Sequence, residues 1–102
     1  MIAEPLHVLE IVMPCAGGSA VVVVSERLAR KCKHRPVYVT GCGERLTTRS
    51  VTYAEDMNVS PVGPAASSAY DMSGKKPKDI DVLQAYDCYT ITVLLTMEDS
   101  GF

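Results

Sequence analysis

The run over residues 19–26 (SAVVVVSE) limits the possible folds more than any other stretch of the sequence. The run is entered through Gly17 and Gly18, and no polar residue interrupts its four successive valines. A continuous β-branched run is typical of a strand that is buried on both faces, because a strand with one wet face alternates polar and apolar residues. The sequence therefore predicts a sheet that helices cover on both sides.

The residues that follow this run predict a βαβ unit. Ser25 can cap a short helix over residues 25–32, and the apolar face of that helix consists of Leu28, Ala29 and Cys32. Pro36 ends the helix, and residues 37–40 (VYVT) follow as a second strand. A strand, a helix and a strand within about thirty residues favour a right-handed crossover between parallel strands.

The second half of the chain predicts a long loop, two helices and a third strand. Residues 46–63 are polar and irregular, which is typical of a functional or partner-contacting loop. A helix is predicted from Pro64 to a C-terminal cap at Gly74, a strand over residues 80–86, and a helix over residues 90–100. This order of elements indicates an α/β protein with a largely parallel sheet.

Length and composition allow one small domain and exclude several classes of protein. The chain has 102 residues, of which 47% are hydrophobic and 22% charged, and its formal net charge is −2. This charge balance does not indicate a nucleic-acid-binding domain, and no apolar run approaches the roughly 20 residues that span a bilayer. No strand follows the last predicted helix, so residues 1–102 are expected to be a single partial domain that lacks its closing strands.

The cysteines indicate a reduced, cytoplasmic setting. The four cysteines are Cys15, Cys32, Cys42 and Cys88, and no two of them form a C-x-x-C motif. Neither His7 nor His34 lies at zinc-finger spacing from a cysteine, so no metal site is predicted, and both histidines are interpreted as non-catalytic residues without partners. Two disulfides are an alternative that the even count allows, although a domain with this apolar fraction does not need them.

The junction after the third predicted strand carries the side chains that are best suited to take part in catalysis. Tyr86, Asp87 and Cys88 lie there, and ligands of open α/β sheets bind beyond the carboxyl ends of strands. A phenol, a carboxylate and a thiol at such an end can act as an acid, an orienting group or a nucleophile. The structural alternative is that Tyr86 packs against the domain and that Asp87 caps the next helix.

Two segments of the chain resemble the thiolase superfamily. Residues 69–102 contain PKDIDV and then the YDCYT box of residues 86–90, which are similar to the family's P-x-D-I-D-V and [H/Y]-D-C-F-[T/S] motifs. Residues 16–30 (AGGSAVVVVSERLAR) are similar to its D-G-A-A-A segment, in the same order and separation. The resemblance is to the sterol-carrier-protein-type and lipid-transfer branch. It implies a C-terminal half-domain with three α/β/α layers and an incomplete, largely parallel sheet.

The resemblance also implies an activity for an intact parent protein, of which this half-domain is a fragment that is inactive alone. Proteins of this family form or cleave carbon–carbon bonds in CoA thioesters, as acetyl-CoA acetyltransferases do, with the CoA thioester as substrate and no tightly bound cofactor. Tyr86 stands where relatives hold the Asn or His of an oxyanion hole, and a phenol can donate the same hydrogen bond. Asp87 would fix the box at the helix start, whereas Cys88 matches the third position of the box and not the family's nucleophile.

The tyrosine makes the box similar to that of thiolase-like aldolases of steroid side-chain breakdown as well. Those enzymes cleave a β-hydroxyacyl-CoA by retro-aldol chemistry without a nucleophilic cysteine, and the implied partners are a second copy in a homodimer and an OB-fold, zinc-ribbon protein. Acyl transfer and retro-aldol cleavage therefore both stay open. A third alternative is a non-catalytic half-domain that acts by self-association or partner binding, because an incomplete sheet leaves an unpaired edge.

Overall fold

A computed structural model describes residues 4–102 and shows helices joined by extended and irregular segments. The α-helices of this part of the chain are α1 (Glu26–Ala29), α2 (Val62–Ser73) and α3 (Thr90–Ser100). Three 3-10 turns accompany them, at Val8–Glu10, Val51–Tyr53 and Pro77–Asp79. The described residues form an elongated body of 53 × 33 × 27 Å.

The two long helices form where the sequence predicts them, because their ends carry local signals. Helix α3 covers the predicted residues, and Gly101 ends it with a φ of 93°. Gly74 ends α2 with a φ of 66°. Glycine adopts this left-handed backbone at little cost, so both helices stop at a glycine. Helix α2 begins at Val62 instead of the predicted Pro64, since Pro61 takes the N-cap position with a helical backbone.

The first helix is shorter than predicted. Ser25 occupies the N-cap position, as predicted, but its side chain makes no capping hydrogen bond, and only its carbonyl accepts hydrogen bonds, from the amides of Leu28 and Ala29. The helix ends at Ala29, and the chain continues to Cys32 in tighter turns. A single helical turn fixes several residues for few hydrogen bonds, and of the predicted apolar face Ala29 is buried at 8% exposure whereas Leu28 is 50% exposed.

The strands predicted over residues 19–26, 37–40 and 80–86 do not form a sheet within residues 4–102. Apart from the start of α1 at Glu26, these segments have no regular secondary structure, and the β pairing of the described part includes an isolated antiparallel bridge between Ile11 and Tyr89 that lies outside all three of them. A strand needs a neighbouring strand for its backbone hydrogen bonds, whereas a helix closes its own. Without such neighbours the valines stay in water, and the sheet of the predicted half-domain is not observed.

Helices α2 and α3 pack against each other and fix the direction of α3. The Tyr70 hydroxyl on α2 donates a hydrogen bond to the Ser100 carbonyl at 3.0 Å. Ser100 is 7% exposed, so this contact lies at a buried point of the molecule. Ser60, just before α2, donates hydrogen bonds to Asp99 near the end of α3. These contacts hold the C-terminal end of α3, whereas the predicted site residues precede its N-terminus.

The segment around Gly41 and Gly43 has no regular secondary structure and lies along α2 at close range. A Cβ atom built on Gly41 would overlap the carbonyl oxygen of Ala69, and one built on Gly43 would overlap that of Ala65. From Gly41 to Gly43 the contact moves by one helical turn, from Ala69 to Ala65, and residues four apart in a helix share one face. Small residues on both sides thus let the two backbones come into contact.

The loop before α2 is largely irregular, as predicted, whereas the residues between α2 and the third predicted strand form a turn. Residues 46–60 are irregular as predicted, apart from the turn Val51–Tyr53. The connector before the third extended segment folds as the turn Pro77–Asp79, in which the Asp79 carboxylate accepts a hydrogen bond from the Lys76 amide at 3.0 Å. None of the helices within residues 4–102 is long and apolar enough to cross a bilayer.

Candidate functional site

The predicted site residues lie immediately before α3, and the structure corrects two interpretations of them. Tyr86 is 72% exposed, so its phenol lies in water and is not a packing residue. The N-cap residue of α3 is Tyr89, so the structural alternative in which Asp87 caps this helix is not what the structure shows. Both the phenol of Tyr86 and the carboxylate of Asp87 are thus free of a structural role that would keep them from a ligand.

Cys88 is held in place by two contacts. Its carbonyl accepts a hydrogen bond from the Val12 amide at 3.0 Å, and its thiol donates to the Thr92 hydroxyl at 3.5 Å. The half-buried thiol is therefore engaged with the first turn of α3 and is not presented as a nucleophile. All four cysteines are unpaired, and the exposed ones are Cys15, Cys32 and Cys42.

An N-terminal segment pairs with the residues around Cys88 and forms the second wall of a groove. The Val12–Cys88 hydrogen bond extends the bridge between Ile11 and Tyr89. Beside this pairing lies an open groove of about 570 Å³, with residues 8–13 on one side. The other side consists of Asp87 and the α3 residues Thr90, Val93 and Leu94. Sequence analysis did not identify residues 8–13 as part of the site.

The groove is lined mostly by apolar side chains that are exposed to water. Leu9 is 88% exposed and Met13 is 71% exposed. An exposed apolar surface that is continuous rather than scattered marks a place where a ligand or a protein binds. Glu10 and Asp87 are the charged residues among those that the structure places along the groove.

Glu10 is held by His7, so the interpretation of His7 as a residue without a partner is wrong. The Glu10 Oε2 atom accepts a hydrogen bond from the His7 amide at 2.6 Å and lies 3.1 Å from His7 Nδ1. These backbone and side-chain hydrogen bonds hold the pKa of Glu10 below its ordinary value, which keeps the carboxylate charged. The signal in the sequence was the His-x-x-Glu spacing before a short helical turn, which matches that of a capping box.

The arrangement combines an apolar groove, which Asp87 helps to line, with the exposed phenol of Tyr86 on the neighbouring residue. Such a site can bind an apolar group and place a proton donor beside its polar end. Within residues 4–102, no three His, Cys, Asp or Glu residues are grouped in a way that could hold a metal ion.

Comparisons with known proteins agree with the resemblance seen in the sequence. The family model described as thiolase C-terminal domain-like matches residues 43–102. An acetyl-CoA acetyltransferase of Methanothermobacter thermautotrophicus is 31% identical over 103 residues, which cover 100% of this chain and 27% of the relative. A steroid side-chain-cleaving aldolase of Thermomonospora curvata is 33% identical over 106 residues, covering 99% of this chain and 27% of the relative.

A third relative belongs to the sterol-carrier branch. Sterol carrier protein 2 of Bos taurus is 29% identical over 102 residues, which cover 94% of this chain and 19% of the relative. The chain therefore spans about a fifth to a quarter of the length of these three curated relatives.

Proposed function

The chain belongs to the thiolase C-terminal domain-like family, and from this premise we propose that it forms part of an enzyme that makes or breaks a carbon–carbon bond in a CoA thioester. The similarity to an acetyl-CoA acetyltransferase and to a steroid side-chain-cleaving aldolase supports the proposal. The structural observation that carries it is the position of two adjacent residues. Tyr86 has an exposed side chain next to Asp87 in the sequence, and Asp87 is one of the residues that line an apolar groove.

Tyr86 acts on the thioester oxygen in this proposal. Carbon–carbon bond formation and cleavage next to a thioester both place negative charge on that oxygen in the transition state. A phenol aimed at the oxygen donates a hydrogen bond that strengthens as the charge develops, and it can also transfer a proton. Asp87 accepts a hydrogen bond from a substrate hydroxyl or a water molecule beside the groove.

Acyl transfer is the leading reaction, and retro-aldol cleavage is the second. Acyl transfer through a covalent intermediate needs a thiolate, but none of the four cysteines is among the described residues that line the groove. The resemblance implies that the nucleophile of acyl transfer belongs to the other half of such an enzyme, and none of the four cysteines matches its motif. Retro-aldol cleavage of a β-hydroxyacyl-CoA with a sterol side chain needs acid and base groups alone, and the exposed phenol of Tyr86 favours it as the second candidate.

The domain in this proposal is the C-terminal half of a three-layer α/β/α arrangement. The extended segments over residues 19–26, 37–40 and 80–86 become strands of its largely parallel sheet when neighbouring strands of the full-length protein pair with them. The exposure of Val21, Val22 and Val23, which is 84–87%, supports this assignment because such side chains belong in a covered sheet. The domain covers residues 1–102, and its first three residues lie outside the described part.

A non-catalytic role in self-association or partner binding is the remaining candidate. Val37 is 94% exposed and Val39 is 85% exposed, and an extended segment with such side chains can pair with a strand of another chain. The proposal also includes a homodimer and a partner protein with an OB fold and a zinc ribbon. It places the enzyme in the cytoplasm, and coenzyme A takes part in it as the thioester of the substrate. Sedimentation velocity at several concentrations tests self-association, and a monomer throughout contradicts it.

The Tyr86→Phe substitution in the full-length protein tests the catalytic proposal. We expect turnover to fall by about 10²-fold or more, the usual effect of removing a positioned proton donor. Tyr53→Phe is the matched control, since Tyr53 and Tyr86 are both 72% exposed. Turnover is measured in thiolysis of acetoacetyl-CoA and in cleavage of a β-hydroxyacyl-CoA, and the assay that responds identifies the reaction. Equal turnover in the two variants would rule out the role of Tyr86.

A further inference from the structure

The basic residues of the chain are concentrated in one segment. Residues 27–49 contain seven of the ten Lys and Arg residues and one of the twelve Asp and Glu residues. The densest part is residues 27–35, which we call the basic patch, and its cationic residues, all exposed, are Arg27, Arg30, Lys31, Lys33 and Arg35. We propose that the basic patch binds an acidic segment of a partner protein, one that is rich in Asp and Glu. This binding surface consists of residues other than those of the site before α3, and it does not depend on the reaction of the enzyme.

The fold of α1 gathers three of these cations on one side of the chain. Residues three and four apart in a helix are neighbours, so Arg30 and Lys31 both lie next to Arg27. The turns continue beyond α1, since the Cys32 amide donates a hydrogen bond to the Ala29 carbonyl at 3.0 Å. Ala29 is 8% exposed, whereas the Arg30 side chain is 72% exposed. The turn is therefore anchored on its Ala29 side, and its cationic side is open to water.

Contacts within the described part of the chain account for one of the five cations. Arg30 Nη2 lies 2.5 Å from Glu26 Oε1, and the two form an exposed ion pair along α1. Among residues 4–102, the side chains of the other four cations form no hydrogen bond and no ion pair. Like charges at helical spacing repel each other and weaken a helix, and α1 consists of a single turn. The basic patch therefore opposes the local fold, and an acidic partner would relieve this repulsion.

The carboxylates of Asp and Glu fit the kinds of cation that the basic patch contains. Arg27 and Arg35, at its two ends, carry planar guanidinium groups that bind a carboxylate through two parallel hydrogen bonds. Lys31 and Lys33 between them are point charges that attract a carboxylate from several directions. A field of one sign also steers an oppositely charged protein toward the surface and speeds its association.

A membrane surface or a nucleic acid fits this chain less well than a peptide. Both are long polyanions that would also approach the residues outside the basic patch, and eleven of the twelve carboxylates lie outside residues 27–49. The formal net charge of the chain is −2, so a long polyanion is repelled overall. A peptide of about ten residues is short enough to contact the basic patch alone.

A second copy of this chain does not present a matching acidic run. Its longest acidic runs are the pairs at residues 55–56 and 98–99. One carboxylate of each pair is already engaged, because Asp56 and Asp99 each accept a hydrogen bond from a backbone amide. Two adjacent carboxylates do not match five cations, so the acidic segment is assigned to a different protein.

Titration of a labelled peptide tests the inference. The full-length protein is added to a fluorescein-labelled peptide of about ten glutamates, and fluorescence anisotropy is measured at about 50 mM and about 300 mM NaCl. We expect binding at the lower salt concentration and a dissociation constant at least about tenfold larger at the higher one, because salt screens exposed charges. A peptide of the same length made of Ser and Gly is the uncharged control. Absence of binding at low salt, or equal binding of the two peptides, overturns the inference.

Charge reversal assigns the binding to the basic patch. Arg27→Glu combined with Lys31→Glu should raise the dissociation constant about tenfold or more. Lys75→Glu combined with Lys78→Glu is the matched control, because both lysines are exposed, lie outside the basic patch and give the same change in net charge. Arg27→Gln combined with Lys31→Gln is the milder pair if circular dichroism shows that the reversed variant does not fold, and it should weaken binding by about threefold or more. Equal losses in the patch variant and the control would show that net charge alone is responsible and would overturn the inference.

Competition and sedimentation test the other occupants of the basic patch. Vesicles with about 30% phosphatidylserine, or a DNA oligonucleotide, are compared with the glutamate peptide, and tighter binding of either one would overturn the assignment to an acidic protein segment. Sedimentation velocity of the protein alone at about 50 mM NaCl tests a second copy. A dimer that Arg27→Glu combined with Lys31→Glu abolishes would place a second copy on the basic patch and would overturn the inference as well.

Discussion

The carboxylate of Asp99, near the end of α3, holds Ser60 at the start of α2 through a single oxygen atom. Asp99 Oδ2 accepts hydrogen bonds from the Ser60 amide at 2.7 Å and from the Ser60 hydroxyl at 2.5 Å. The hydroxyl oxygen of Ser60 in turn accepts a hydrogen bond from the Val62 amide at 3.3 Å. The hydroxyl and the amide of Ser60, in that order of effect, hold the pKa of Asp99 below its ordinary value.

Acid should loosen the contact between α2 and α3. A carboxylate whose pKa is lower in the folded state stabilises the fold fully above its unfolded pKa, about 3.9 for aspartate, and this stabilisation is lost as the pH falls through the folded value. Denaturant midpoints of the full-length protein, measured from about pH 6 downwards, should therefore fall at acidic pH. Asp99→Asn should reduce this acid sensitivity, and Glu10, whose pKa is also lowered, contributes to what remains.

Ser60→Ala should reduce the acid sensitivity as well, because it removes the hydroxyl donor. Ser67→Ala is the matched control, since Ser67 is an exposed serine on α2. An Asp99→Asn protein that loses stability in acid as steeply as the unmodified protein would contradict the role of this contact.

A methyl group at Gly43 should destabilise the protein by about 1–3 kcal/mol, the usual cost of overpacking. The added carbon would overlap the backbone of α2 at Ala65, and neither backbone can move aside without disturbing the helix. Gly17→Ala is the control, because nothing lies within 4 Å of a Cβ atom at that position. Chemical denaturation of both variants checks the difference, and equal stability would show that the segment does not cross α2 at this distance.

Removal of the Val12 amide should free the residues before α3. Val12→Pro deletes the donor to the Cys88 carbonyl, and Met13→Pro is the control because Met13 is the neighbouring exposed position. Hydrogen–deuterium exchange over residues 88–92 should become faster in Val12→Pro and stay unchanged in Met13→Pro. Equal exchange in the two variants would show that residues 8–13 do not hold the site in place.

The helices could be predicted from the sequence because their signals are local. The apolar pattern of α3 and the glycines at positions 74 and 101 lie within or next to the elements that they define. The strands are different, because a run such as residues 19–26 records a preference for an extended backbone and does not supply the neighbour that completes the hydrogen bonds. The predicted β segments accordingly form no sheet among the described residues.

The site could be predicted in part for the same reason. Tyr86 and Asp87 are adjacent in the sequence and precede a helix that is easy to recognise, so their position was predictable. The wall formed by residues 8–13 was not, because the hydrogen bond between Val12 and Cys88 joins two distant parts of the chain and no periodic pattern records it. The contact between His7 and Glu10 is local, and its spacing could have been read as a capping box.

Because Gly41 and Gly43 lie against α2, every amino acid substitution that one nucleotide change can produce at these two positions is unfavourable. Every amino acid that a single nucleotide change can produce from a glycine codon carries a Cβ atom, and that atom meets the carbonyl oxygen of Ala69 or Ala65. A saturation library should therefore show two sharp gaps in tolerance here, while Gly17 and Gly18, which have open space around them, accept substitutions freely. Two intolerant positions separated by one residue would show, from mutational data alone, that this segment lies against a helix.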